Sequence, residues 1–257
     1  KVFNASVPLT INSGAFLATN NLQLTLGGNF VNSGGTFTAG SSPIVITNTA
    51  LTQSIAGFTT TGLVSMTKTG GTATFTGNLN AVSVTLNGGG GTLNLGAGLT
   101  HSVTGDWANT AGTLNSNTST VNFNGTGAQT ISGANTWYRL AVTGTTARTV
   151  SFQSGVTQTV TNQLTFTGSS GQLLTLAPVT AGSSWRLNAP ATQSVSYVSV
   201  SYSDANSGTT VNACDGTNMD GGNNINWIFV CGGAAVLTVT PLTWNIVGLD
   251  SNDVSSG

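Results

Sequence analysis

The sequence predicts an all-β protein, a right-handed parallel β-helix (solenoid), on three observations. Short apolar couplets such as Val121/Phe123 and Leu140/Val142 alternate with Thr, Ser or Asn. Period two places the apolar side chains on one face of a strand and the hydroxyls and amides on the other. Gly- or Asn-bearing corners follow the couplets, and both residues tolerate the left-handed backbone that a tight corner needs. The third observation is an internal repeat. Phe30-Val-Asn-Ser-Gly-Gly-Thr-Phe37 lies over Trp107-Ala-Asn-Thr-Ala-Gly-Thr-Leu114 at an offset of 77 residues. Leu63 lies over Leu140 and Phe75 over Phe152 at the same offset, and Gln53-Ser-Ile55 lies over Gln129-Thr-Ile131 at 76.

Dividing the offset by three gives about 26 residues per coil, a length that suits a stacked solenoid. That division places Phe30 and Trp107 at equivalent positions three coils apart. A sandwich array is the competing architecture, with Asn87-Gly88 and Asn124-Gly125 as hairpin turns. It predicts repeats of about 100 residues, longer than the offset.

Along the chain, residues 1–20 form a first partial turn with Val2, Phe3, Leu9 and Ile11 as core candidates. One repeat covers about 21–97 through Leu24/Leu26, Ile44/Ile46, Ala73/Phe75 and Val82/Val84/Leu86. The second covers about 98–176 through Ile131, Val150/Phe152, Leu164/Phe166 and Leu174/Leu176. No segment carries the 3.6-residue period of an amphipathic helix. Trp185-Arg186-Leu187 and the run Val195 to Tyr202 alternate most strongly of all. The turn-rich stretch that follows, with Ile225 to Val230 closing it, is read as a cap over about 203–232, because a solenoid end exposes unpaired backbone. Residues 1–232 therefore make one unit, and 233–257 a strand-like tail or a linker to a following domain. In the tail, Val236, Leu237, Val239, Leu242, Trp244, Ile246 and Val247 would expose a large apolar area if it hung free, so they are the expected assembly residues.

Only 4% of the 257 residues are charged, the net charge is −1, and the chain has no Glu. There is no basic patch for nucleic acid or an anionic membrane, and no apolar run of the ~18 residues a span needs. With so little charge repulsion, self-association is expected, end to end or through the tail. Cys214 and Cys231 are expected to form a disulfide, worth roughly 3 kcal/mol on the chain-entropy model, in an extracytoplasmic protein.

Catalysis finds no support among the residue types. Glycoside hydrolysis needs two carboxylates held close together, and Asp106 is alone within 21–203. His101, the single histidine, has no nucleophile and orienting acid in pattern and reads as a surface or coil-corner residue. Asp215, Asn218 and Asp220 offer oxygens of the kind calcium takes, with turn-forming Asx side chains as the alternative. Trp137-Tyr138 and Trp185 are either sugar-stacking surfaces or core plugs. No catalytic residue, cofactor or metal ligand is assigned.

The order Gly105-Asp-Trp107-Ala-Asn, Gly112-Thr, Val121-Asn-Phe-Asn-Gly-Thr-Gly-Ala-Gln-Thr-Ile131, Leu140-Ala-Val resembles the β-helical repeat regions of large bacterial surface and adhesin-like proteins. The closing Val195-Ser-Tyr-Val-Ser-Val to Asn226-Trp227 is similar to their usual ending. The resemblance covers about 21–230 and implies a fold and a secreted or cell-surface location, with no functional residue to carry over. The expected role is structural or adhesive, without catalysis, in a surface protein or fibre. Neighbouring domains of a larger surface protein are the other expected partners. Carbohydrate binding or cleavage by the β-helix is the alternative, and ice binding a lesser one. The latter needs a flat Thr-x-Thr face, for which Thr36/Thr38, Thr67/Thr69, Thr72/Thr74 and Thr157/Thr159 are the candidate pairs.

Overall fold

A computed structural model of the chain describes residues 2–3, 7–49 and 52–231. The tail residues from Val236 to Val247 lie outside the described residues. Among the described residues there is no helix; short parallel strands stack as a β-solenoid of about ten turns. Three strands and three corners make one turn. The first face is an eleven-stranded sheet, the second is six-stranded, and the third belongs to a nine-stranded sheet.

Successive turns lie about 21 residues apart, not 26. Leu24 pairs with Ile44, Val64 with Val84, and Leu79 with Phe58, 20 or 21 residues per turn at those rungs, against 25 where Phe30 pairs with Ile55. Higher up the spacing stretches to 26 where Phe152 pairs with Pro178 and to 29 where Gln163 pairs with Thr192. The 77-residue repeat is real, but it is not a whole number of turns. Phe30 faces inward on the second face, paired with Ile55, whereas Trp107 faces inward on the first, paired with Val84 and Ile131. Leu63 and Leu140 also lie on different faces, as do Phe75 and Phe152. The physical unit is one side of the triangle, a strand plus a corner of about seven residues, and all three sides follow the same alternation. Eleven such sides make the offset, which advances the chain by three turns and two further faces.

Inside, each face contributes columns of stacked apolar residues. On the first face one column runs Leu24, Ile44, Val64, Val84, Trp107, Ile131, Phe152, all buried. Each fully buried aliphatic or aromatic side chain contributes roughly 1.5–3 kcal/mol. Phe30, Phe37, Phe58 and Phe75 meet edge to face or tilted in the lower core. Of the expected first-turn core residues Ile11 is buried and Leu9 half-buried, while Val2 is exposed at the open end.

In the seventh and eighth turns, counted from Val2–Phe3, the second and third faces fuse. Asn135–Thr143 and Thr157–Thr167 are single long strands whose register shifts between Trp137 and Arg139. The first half of Asn135–Thr143 lies over Thr113–Asn115 and its second half pairs with Thr120–Phe123, while Thr157–Thr167 pairs with Asn135–Thr143 along both halves, so the bulge is the corner. The run Val195 to Tyr202, expected as one strand, is two. Tyr197 takes a left-handed conformation (φ 54°), which ends Thr192–Ser196 on the third face and starts Val198–Val200 on the first.

Residues 203–231 continue the stack. Ser203–Asp204 pairs with Trp185–Asn188, Met219–Asp220 adds the last strand of the first face, and Val211–Asn212 pairs with Trp227–Ile228. Cys214 and Cys231 are joined by a disulfide, S–S 2.00 Å.

Candidate functional site

Stacking parallel coils buries backbone at the corners, and three polar devices inside the core satisfy it. Gln53 donates from Nε2 to Leu26 O and Gly28 O at 3.1 and 2.9 Å, and its Oε1 accepts from the buried Lys68 Nζ at 2.9 Å. The same device recurs in the second repeat. Gln129 Nε2 donates to Val103 O and Gly105 O, and its Oε1 accepts from Arg148 Nη1. The two carbonyl pairs are 77 residues apart, so the sequence repeat carries the buried clasp as well as the strands. Arg148 also donates from Nη2 to Phe123 O and Thr143 O, both at 2.9 Å, while its Nε has no partner. Burial pushes both cations below their usual pKa. The third device is Gln158, which donates to Gly133 O and accepts from Asn135 and from the Trp137 indole.

His101 is not a surface or corner residue. It occupies an inward position of the Thr100–Val103 strand, in line with Val121, and is buried against Phe75. Its Nδ1 accepts from Leu79 N at 3.0 Å and its Nε2 donates to Leu95 O at 2.8 Å, which requires the neutral ring. Burial, partly offset by the bond to Leu95, lowers its pKa from 6.5. The unfolded state therefore takes up a proton that the folded ring refuses, and stability falls as pH drops below 6.5. Urea midpoints should decline between pH 7.5 and 5 in the native chain (a range set by the 6.5 of the free ring), and the decline should shrink in His101→Gln. An identical decline in both would remove His101 as its cause.

The acidic residues serve turns. Asp215 Oδ1 accepts from Thr217 N, Thr217 Oγ1 and Asn218 Nδ2. Asp220 Oδ1 accepts from Gly222 N and Asn224 Nδ2, and Asp106 Oδ1 from Thr130 N. The bonds of Asp215 and Asp220 are Asx-type local bonds, that of Asp106 joins successive coils, and among the described residues no three His, Cys, Asp or Glu side chains converge. Trp137 and Trp185 are completely buried, so neither is available to stack on a sugar. The four candidate Thr pairs scatter. Thr36/Thr38 lies at the lower third face, Thr72/Thr74 on the second and Thr157/Thr159 on a fused strand, while Thr67/Thr69 follows the first-face strand Leu63–Met66. They do not form one surface.

The outer side of the third face is more distinctive. Its central column runs Thr59, Asn80, Ser102, Asn122, Ala141, Thr165, Ser194, one residue per turn. At its junction with the first face three corners stack: Asn124-Gly125-Thr126, Thr143-Gly144-Thr145 and Thr167-Gly168-Ser169. The glycines are required by close approach. A β-carbon on Gly125 would sit 2.0 Å from Thr104 O, and one on Gly168 2.3 Å from Tyr197 O. Their missing side chains leave an open trough of about 410 Å³ lined by these corners and Thr146. At the opposite junction the bulge turns two successive residues, Tyr138 and Arg139, outward between buried Trp137 and Leu140. Arg139 lies over the Tyr138 ring, 5.3 Å from its centroid, and its Nε donates to Asn162 Oδ1 at 3.0 Å. Sequence alternation does not reveal this pair, because a bulge breaks the period at one residue and resumes it.

Neither a protein-family model, nor a curated protein, nor a solved structure matches the chain. Among the described residues no helix is long and apolar enough to cross a membrane.

Proposed function

We propose that the protein is an extracellular, non-catalytic scaffold: a stiff β-solenoid of the structural or adhesive kind that the repeat sequence resembles, associating through its ends. The observation that carries this reading is the division of labour among side chains. Apolar columns fill the interior, most of the charged groups that the structure describes are engaged in clasps and turns, and the lateral faces carry neutral hydroxyl and amide ladders. The disulfide is compatible with an oxidising compartment. Both ends carry exposed apolar residues, Phe16 and Leu22 at one and Ile225, Ile228 and Val230 at the other. The strands Leu9–Asn12 and Phe16–Ala18 pair on one side only among the described residues. Such edges accept a further strand, and a contact between unlike ends propagates without closing.

Sedimentation velocity over a range of concentrations tests it. The native protein should form linear oligomers of constant width, and Phe16→Asp with Leu22→Ser should hold it as a monomer. A concentration-independent native monomer would remove end-to-end association. Glycan breakdown by purified protein would overturn the non-catalytic reading.

A further inference from the structure

Arg139 and Arg148 are two guanidinium groups at opposite margins of one face, and neither pairs with a carboxylate among the described residues. They belong to one turn: Arg139 opens the third-face half of Asn135–Thr143, and Arg148 begins the next strand just beyond the trough. Between them the outward row reads Arg139, Ala141, Thr143, Thr145. Ala141 is the smallest side chain of its column, between Asn122 and Thr165, so the row is a shallow valley that opens into the trough. From Arg139 to Thr143 the row is extended strand, roughly 13 Å long, and Gly144 and Thr145 then turn the corner into the trough.

We infer that this row is a binding track for a linear acidic saccharide, with Arg139 receiving a carboxylate and the glycine trough receiving the adjoining sugar units. Three observations carry it. First, Arg139 is pre-organised: the Tyr138 ring and Asn162 hold it, and its η nitrogens, which no described residue engages, present the fork that matches a carboxylate. A donor already held in place loses less entropy when it binds. Second, the trough is concave and polar without being charged. Thr126, Thr145 and Thr146 offer hydroxyls that both donate and accept, as a polyhydroxylated ligand needs, and Ser169, which donates to Gly144 O, adds an acceptor. Third, Arg148 is buried, with its unpartnered Nε against Gly144, the middle rung of the trough: a β-carbon there would lie 3.3 Å from Nε. Its charge acts across low-dielectric protein, so it favours an anion in the trough more than it would through water. The nearest acid on that ridge, Asp106, sits one turn below and accepts Thr130 N.

The inference gives a ligand class to the adhesive reading above and rests on it only for its biological sense. Calorimetric titration of the native protein with oligogalacturonate, with the same oligomer methyl-esterified, and with acetate separates the outcomes. The free-acid oligomer should bind at least about tenfold more tightly than the ester, and acetate should not register at up to about 10 mM. Arg139→Gln, an exposed position where the amide can still meet Asn162, should weaken free-acid binding about tenfold and flatten its salt dependence. Thr145→Val with Thr146→Val should weaken it while leaving the unfolding midpoint in place. Equal binding of acid and ester, undiminished binding by Arg139→Gln, or no binding up to about 10 mM would each overturn the track. Rods that fail to bind would leave the scaffold standing, and binding by a strict monomer would leave the track standing without it.

Discussion

Gln129→Leu should destabilise the fold by about 3–5 kcal/mol, the largest effect expected of any single conservative change in volume here. The amide donates to Val103 O and Gly105 O and accepts from Arg148 Nη1. Leucine fills much of the same space but leaves two buried carbonyls short of donors and a desolvated guanidinium short of an acceptor. Arg148 already holds one unpartnered nitrogen, so it has no slack. Each orphaned buried group costs about 1–3 kcal/mol, and more when it is charged. The double variant Gln129→Leu with Arg148→Met should recover part of the loss, because it removes the charge together with its acceptor. Urea unfolding with an unchanged m-value is the measurement. A loss below about 1 kcal/mol would mean that water reaches the clasp.

Gly125→Ala should cost about 3 kcal/mol, the upper end of ordinary overpacking, while Gly144→Ala in the same trough should cost much less. The two differ in what a methyl meets. At Gly125 it would sit 2.0 Å from Thr104 O, backbone of the turn below, which can yield only if the coils part. At Gly144 the nearest atom is 3.3 Å away, on the Arg148 side chain, so a shift of a few tenths of an ångström makes room. Neither glycine has positive φ, so the contrast isolates coil contact from backbone freedom. Equal losses at both would point to a general intolerance of the corner.

Much of the strand pattern was legible, because period two reports burial directly in thin, one-layer sides. The same regularity hid the turn length. When all three sides of a triangle share one grammar, an alignment finds sides, and whether eleven of them make three turns or three and two-thirds is decided by how corners close in space. Gln53 and Gln129 stood in the repeat alignment at the same parity as Ile55 and Ile131, and parity alone marks them as inward. His101 carries the same mark beside Val103. The parity rule finds buried polar residues as well as apolar ones. Their partners escape it, since Arg148 reaches Gln129 from the turn above and nothing local announces the contact. Tyr138 and Tyr197 escape for another reason: a bulge or a left-handed corner shifts the period by one residue, and the sequence on either side looks uninterrupted.

The scaffold, the clasp and the proposed track all depend on the stacking of turns about 21 residues apart. Engineered cysteine pairs test it directly, since a disulfide forms only when the two Cα atoms lie about 4.4–6.8 Å apart. Ser65→Cys with Thr85→Cys joins two outward neighbours 20 residues apart on the first face, and Thr92→Cys with Thr113→Cys joins two on the second. Both pairs should cross-link on mild oxidation. Asn94→Cys with Thr120→Cys, 26 residues apart, sits on two different faces and should stay reduced. Linkage of that pair, with the first two left open, would contradict the three-sided stack and everything built on it.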